Sequence, residues 1–196
     1  LTERNGMGIG TWAAVGAFTA SAAAIGGLCR SNYERKHFVT ECFTIQSPKI
    51  QKKTRLVFLT DLHDQVYENE PLLQEIDRIQ PDFILSGGDA MVVKNKKVDT
   101  RVPLALFRVL AQTYPVVCAN GNHETRMKKE PDQYGDSYVY YKEKLKNLGI
   151  RQIENGTLPL TDWLMVSSVE LEEQFYRDGI PARMRGDYLE KKLGKP

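Results

Sequence analysis

The feature that most limits how this chain can fold is an alternation. Short apolar runs of three or four residues are separated by longer segments whose apolar residues recur at helical spacing. Leu56 to Leu59, Phe83-Ile84-Leu85 and Val116-Val117-Cys118 are the runs, of the length and continuity that strands buried on both faces show. Between them, Leu72, Leu73, Ile76 and Ile79 mark one helix over Asn69 to Gln80, with Asn69 placed to cap it and Pro71 in its first turn. Val102, Leu106, Val109 and Leu110 mark a second, again with a proline, Pro103, at its opening. Tyr138, Tyr141, Leu145 and Leu148 form the stripe of a third, which Gly149 closes. Ile150 to Ile153 and Leu164 to Val169 read as further strands, and Leu189 and Leu193 as a last short helix. Strand and helix in alternation give an α/β domain of parallel strands with crossover helices.

The chain has 196 residues, enough for one such domain and an additional segment. That segment is Met7 to Leu28, which contains no charged residue. As a helix it measures about 33 Å, near the hydrocarbon thickness of a bilayer. An uncleaved membrane anchor is the expectation; a cleaved signal peptide, with Ala20-Ser21-Ala22 as small residues near a cut, is the rival. The organisation expected is therefore an anchor or signal segment with a polar linker over 1–36 and an α/β domain over 37–196. Within the latter, His37 to Ile45 alternates loosely and reads as a strand ended by Ser47-Pro48.

A net charge of +2 gives no reason to expect a nucleic-acid partner. The basic clusters Lys49, Lys52, Lys53, Arg55 and Lys94, Lys96, Lys97 read as solvated loops. Cysteines 29, 42 and 118 share no metal-ligand spacing, and Cys118, within an apolar run, reads as a buried thiol.

In parallel sheets, ligands collect beyond the carboxyl ends of the strands. Polar residues stand there three times: Asp61-Leu62-His63 after the first strand, Gly87-Gly88-Asp89 after the second, and Gly121-Asn122-His123-Glu124 after the third. Carboxylate, imidazole and amide oxygen converging from adjacent loops suit a divalent cation of intermediate hardness. Asp61 and His63, two apart, can face one ion from an extended loop, while Gly88 and Gly121 allow the bends that aim Asp89 and Asn122. Each motif alone is common; their placement after three successive buried strands is what carries the reading.

The ordered triple Asp61-x-His63, Gly88-Asp89 and Gly121-Asn122-His123-Glu124 resembles the signature of the calcineurin-like metallophosphoesterases. The preceding hydrophobic segment and Ser47-Pro48-Lys49-Ile50 resemble the single-anchor bacterial branch of that superfamily. The resemblance implies the N-terminal portion of a two-sheet sandwich flanked by helices. It also implies two divalent metal ions (Mn, Fe, Zn or Mg), a phosphate-ester substrate (mono-, di- or pyrophosphate) and attack by a metal-activated hydroxide. By resemblance, Asp61 and His63 bind one metal, Asp89 bridges both and Asn122 binds the other. His123 faces the phosphate, to protonate the leaving group or stabilise charge, and Glu124 holds the loop or the His123 ring from behind. The expected location is a bacterial-type cell membrane, through residues 7–28, with the side of the catalytic domain left open.

The family pattern continues with an isolated histidine and a Gly-His-x-His motif, whereas this chain has no histidine after His123. The expectation is therefore an incomplete domain whose second metal has only Asp89 and Asn122, and which is nearly inactive by itself. A catalytically inactive metal-binding or interaction module is the alternative. A metal-dependent nuclease of another strand-loop type is disfavoured by the Gly-Asn-His-Glu run.

Overall fold

The computed structural model describes residues 25–31, 33, 37–65, 70–176 and 183–194. It divides into two units, Leu1–Cys42 and Phe43–Pro196. In the first, residues 25–31 are helical and exposed. The His37 ring stacks on Tyr33 with ring centres 3.9 Å apart. Most of the expected anchor, residues 7–24, lies outside the described residues. Among those described, no helix is long and apolar enough to cross a membrane.

The strand expected over His37 to Ile45 is not present: the segment has no regular secondary structure. Loose alternation is insufficient where no neighbouring strand takes up the backbone hydrogen bonds. Val39, Phe43 and Ile45 accordingly remain exposed.

The second unit is built on a sheet of four parallel strands in sequential order: β1 (Leu56–Leu59), β2 (Phe83–Ser86), β3 (Val116–Ala119) and β4 (Arg151–Ile153). Leu56 pairs with Phe83, Ile84 with Val116 and Val117 with Arg151. The connections are helical, as expected: α1 (Glu70–Ile79), α2 (Arg101–Thr113), then α3 (Asn122–Lys129), α4 (Pro131–Tyr134) and α5 (Ser137–Asn147) before β4. Residues 66–69, with the Asn69 cap, lie outside the described residues. Pro103 sits buried in the first turn of α2, where its missing N–H costs nothing. Gly149, with φ 74°, ends α5. Ile150 N–H donates to Leu145 O and Gly149 N–H to Lys146 O, both at 3.0 Å, the paired bonds of a left-handed helix stop. An antiparallel pair, β5 (Gly156–Pro159) and β6 (Met165–Ser168), follows, and α6 (Tyr188–Leu193) comes last. Of these, β6 and α6 match expectation; α3, α4 and β5 were not anticipated.

Most of the core lies on one face of the sheet, and Val117 and Ile153 are buried on the other. Ile84 and Cys118 point into it, and Phe107 of α2, Ile76 of α1 and Leu145 of α5 are almost fully buried. β1 departs from the reading of a strand buried on both faces: Leu56 is 43% exposed and Phe58 is 64% exposed. Among the described residues β1 is the edge of its sheet, and that face is open at this edge although Val117 and Ile153 are buried on it further in. Its apolar run therefore records sheet position less well than the runs of β2 and β3 do.

Candidate metal centre

The three polar clusters stand beyond the carboxyl ends of β1, β2 and β3, where a parallel sheet presents its ligand site. The first two loops run side by side. Asp61 N–H donates to Gly88 O (3.2 Å), His63 N–H to Asp89 O (3.0 Å) and Asp64 N–H to Ala90 O (3.3 Å). The first loop is not extended, as the two-residue spacing suggested. Asp61, His63, Asp64 and Asp89 all take left-handed backbone conformations, with φ between 49° and 59°. That region costs a non-glycine residue roughly 1–2 kcal/mol, and such strain clusters at functional sites where the surroundings enforce it. It turns the three candidate ligands towards one another. One ligand atom from each of Asp61, His63 and Asp89 lies within 4.8 Å of the other two.

Two glycines make this approach possible. A Cβ on Gly88 would stand 2.0 Å from Gly121 N, and one on Gly121 would stand 2.3 Å from Asp89 Oδ1. The second and third clusters are therefore packed backbone to backbone. Asn122, His123 and Glu124 lie not in a loop but in the first turn of α3, for which Gly121 is the N-cap. The helix start supplies donors: His123 N–H donates to Asp89 Oδ1 at 2.8 Å, which fixes one carboxylate oxygen at the positive end of the helix.

Glu124 is 1% exposed. Its Oε2 accepts from Asp89 N–H (2.9 Å) and Gly121 N–H (3.0 Å), and its Oε1 from Ala90 N–H (2.9 Å). One carboxylate thus ties the second cluster to the third, and it holds the loops rather than the His123 ring. Burial pushes its pKa up, against the pull of those backbone donors.

The His123 ring is held elsewhere. Val93 N–H points at His123 Nδ1 at 2.8 Å. Val93 O stands 3.3 Å from the same nitrogen; with Nδ1 accepting the shorter bond, the neutral ring carries its proton on Nε2. Burial lowers the imidazole pKa, outweighing the nearby Asp89 carboxylate. Arg126 Nη1 donates to Val93 O at 2.8 Å and steadies the same peptide. The His63 and His123 rings meet edge to face, 5.1 Å between centres.

The donor set fits a divalent cation. His63 Nε2 is buried without a hydrogen-bond partner, and Asp61 Oδ1 lies 3.6 Å away. Two ligand atoms on one tetrahedral ion, each about 2.1 Å from it, stand roughly 3.4 Å apart. Thr60 Oγ1 donates to Asp61 Oδ2 at 2.8 Å, which leaves Oδ1 for that position. The Asn122 amide lies against Asp89. With its nitrogen turned inward it donates to Oδ2 at 2.6 Å and to Oδ1 at 3.2 Å. With its oxygen turned inward, acceptors face each other, an arrangement that a cation between them would reconcile.

Sequence reasoning brought forward Asp61, His63, Asp89, Asn122, His123 and Glu124, and the structure places all six at this one point. It passed over Thr60, Asp64 and the Val93 peptide. Asp64 Oδ2 accepts from Val92 N–H at 2.9 Å, and burial raises its pKa. The motif Asp-x-His-Asp offered a signal for Asp64; nothing in the sequence marks Val93, whose part is played by its backbone.

No curated protein and no solved structure matches the chain. The family model described as calcineurin-like phosphoesterase matches residues 54–185. This match spans the sheet, all three polar clusters and well over half of the sequence. The chain belongs to the calcineurin-like phosphoesterase family, whose general chemistry is metal-dependent hydrolysis of phosphate esters.

Proposed function

We propose that the site hydrolyses phosphate monoesters, diesters or pyrophosphates with two divalent cations. Asp61, His63 and Asp89 hold one; Asp89 and Asn122 hold the other. The observation that carries the reading is the partnerless, buried Nε2 of His63, facing Asp61 across a gap of metal-ligand size. When bound, divalent cations lower the pKa of water at such a site and draw charge from the phosphate oxygens.

The chain's own residues do the rest. Thr60 and the His123 N–H orient the Asp61 and Asp89 carboxylates before any ligand arrives. Glu124 holds the two loops in register. His123 presents Nε2–H towards the substrate position. A neutral imidazole that gave up this proton would become an imidazolate, and burial favours the neutral ring over the charged one. These contacts favour a hydrogen bond from Nε2–H that stabilises charge on the phosphoryl oxygens, over full proton transfer to the leaving group.

The second cation has fewer protein donors than the first, so it binds more weakly and hydrolysis by this chain is slow. The test is elemental analysis and turnover of the full chain with manganese, using p-nitrophenyl phosphate and bis(p-nitrophenyl) phosphate. Metal-dependent turnover that disappears in Asp89→Asn together with bound metal supports the assignment. Normal metal content and turnover in that variant would remove it. Metal binding with no turnover on either ester would favour the reading as an inactive metal-binding module.

A further inference from the structure

A cleft of about 690 Å³ opens beside the metal centre, lined by Asp64, Val92, Lys94, Lys96, Lys97 and Asp99 among others. This volume lies in the range of small-molecule sites. Two of its lining residues adjoin the centre: Asp64 follows His63, and Val92 precedes Val93, whose N–H meets His123 Nδ1. Part of its lining is a tight hairpin. Lys94 and Lys97 exchange backbone hydrogen bonds of 3.2 and 2.9 Å. Asn95 (φ 54°) and Lys96 (φ 59°) form the two-residue turn in the left-handed region. Such turns favour asparagine followed by glycine, and here a lysine takes the second position.

The cleft holds both signs, with three lysines against the carboxylates of Asp64 and Asp99. Asp64 accepts from the Val92 N–H. Asp99 is engaged by Arg101 at 2.6–3.2 Å, which holds its carboxyl down at about 2. All three lysines are exposed, and among the described residues no carboxylate stands within salt-bridge distance of any of them. Three lysines within four residues of one turn give a local positive field that favours a compact multiply charged anion.

Resting on the phosphoesterase reading, we infer that this hairpin receives a second, non-reacting phosphate of the substrate. The preferred substrate class is then a molecule carrying two or more phosphate groups, one at the metal centre and another against Lys94, Lys96 and Lys97. The lysines supply affinity and selectivity and take no part in bond breaking.

Binding of inorganic tripolyphosphate to the metal-free full chain, followed by calorimetry, tests this separately from hydrolysis. Replacing the three lysines together by glutamine should weaken binding roughly tenfold, since each partly exposed ion pair contributes a modest increment. Replacement by arginine should retain it, and added salt should weaken the wild type more than the glutamine variant. Equal affinity in the wild type and the glutamine variant, or no binding by the wild type, would overturn the inference and leave the metal-centre assignment untouched.

Discussion

At the scale of single residues, the site depends on a few side chains that never meet substrate. Glu124 accepts three backbone N–H groups from two loops while 1% exposed. A glutamine there keeps one acceptor and turns an NH2 group towards a backbone donor. Leaving a buried polar group unpaired costs about 1–3 kcal/mol, so Glu124→Gln should lower stability by that amount in denaturant titrations and weaken metal binding with it. An unchanged midpoint would show that the loops hold without the clamp. For His123→Ala, loss of one preorganised hydrogen bond should lower turnover roughly 10²–10³-fold. A charge-stabilising role predicts similar losses for good and poor leaving groups; a loss confined to poor leaving groups would reassign His123 as a proton donor. The six polar side chains were legible because their chemistry is carried by residue type and by position after a strand. The left-handed backbone at Asp61, His63 and Asp89 was not, because it results from pairing between loops distant in sequence.

At the scale of elements, strands β2 and β3 and helices α2 and α5 were readable because burial imposes a period on them. Helix α3 escaped for the opposite reason: in Asn-His-Glu-Thr-Arg-Met-Lys-Lys only Met127 is a large apolar residue buried in the core. What holds it is polar, at Glu124 on its first turn and at Lys128 on its last. Lys128 pairs with Glu154 and Glu170, and Lys142 of α5 also reaches Glu154. Partial burial works against the Glu154 carboxylate, but its two lysine partners prevail and depress it from 4.5 to about 2. A carboxylate depressed in the folded state contributes stability that is complete above its unfolded value and is lost as pH falls through the folded one. Thermal melts between pH 5 and 2.5 should therefore fall more steeply for the wild type than for Glu154→Gln. Parallel curves would mean that the α3–β4–α5 cluster adds nothing to stability.

At the scale of the whole second unit, one site joins three separate strand ends, so occupancy of the site and stability of the sheet are one equilibrium. A cation that binds only the folded arrangement stabilises it by about 2.7 kcal/mol at a concentration 100 times its dissociation constant. For a chain of this size, each kcal/mol raises the melting temperature by roughly 2–4 °C. Saturating manganese should thus raise the wild-type melting temperature by about 5–11 °C. The loops bear this load because their geometry is already set: Gly88 and Gly121 interlock, and Asp89 touches both the helix start and the Glu124 clamp. Gly121→Ala would place a methyl group 2.3 Å from Asp89 Oδ1, and the displaced carboxylate could no longer share an ion with Asp61 and His63. That variant should melt lower than the wild type without metal and show little further rise when manganese is added. Each variant is compared with its own metal-free form, which separates lost binding from lost stability. A manganese-dependent rise in Gly121→Ala as large as in the wild type would show that the ion is held without Asp89, and the centre would have to be redrawn around other donors.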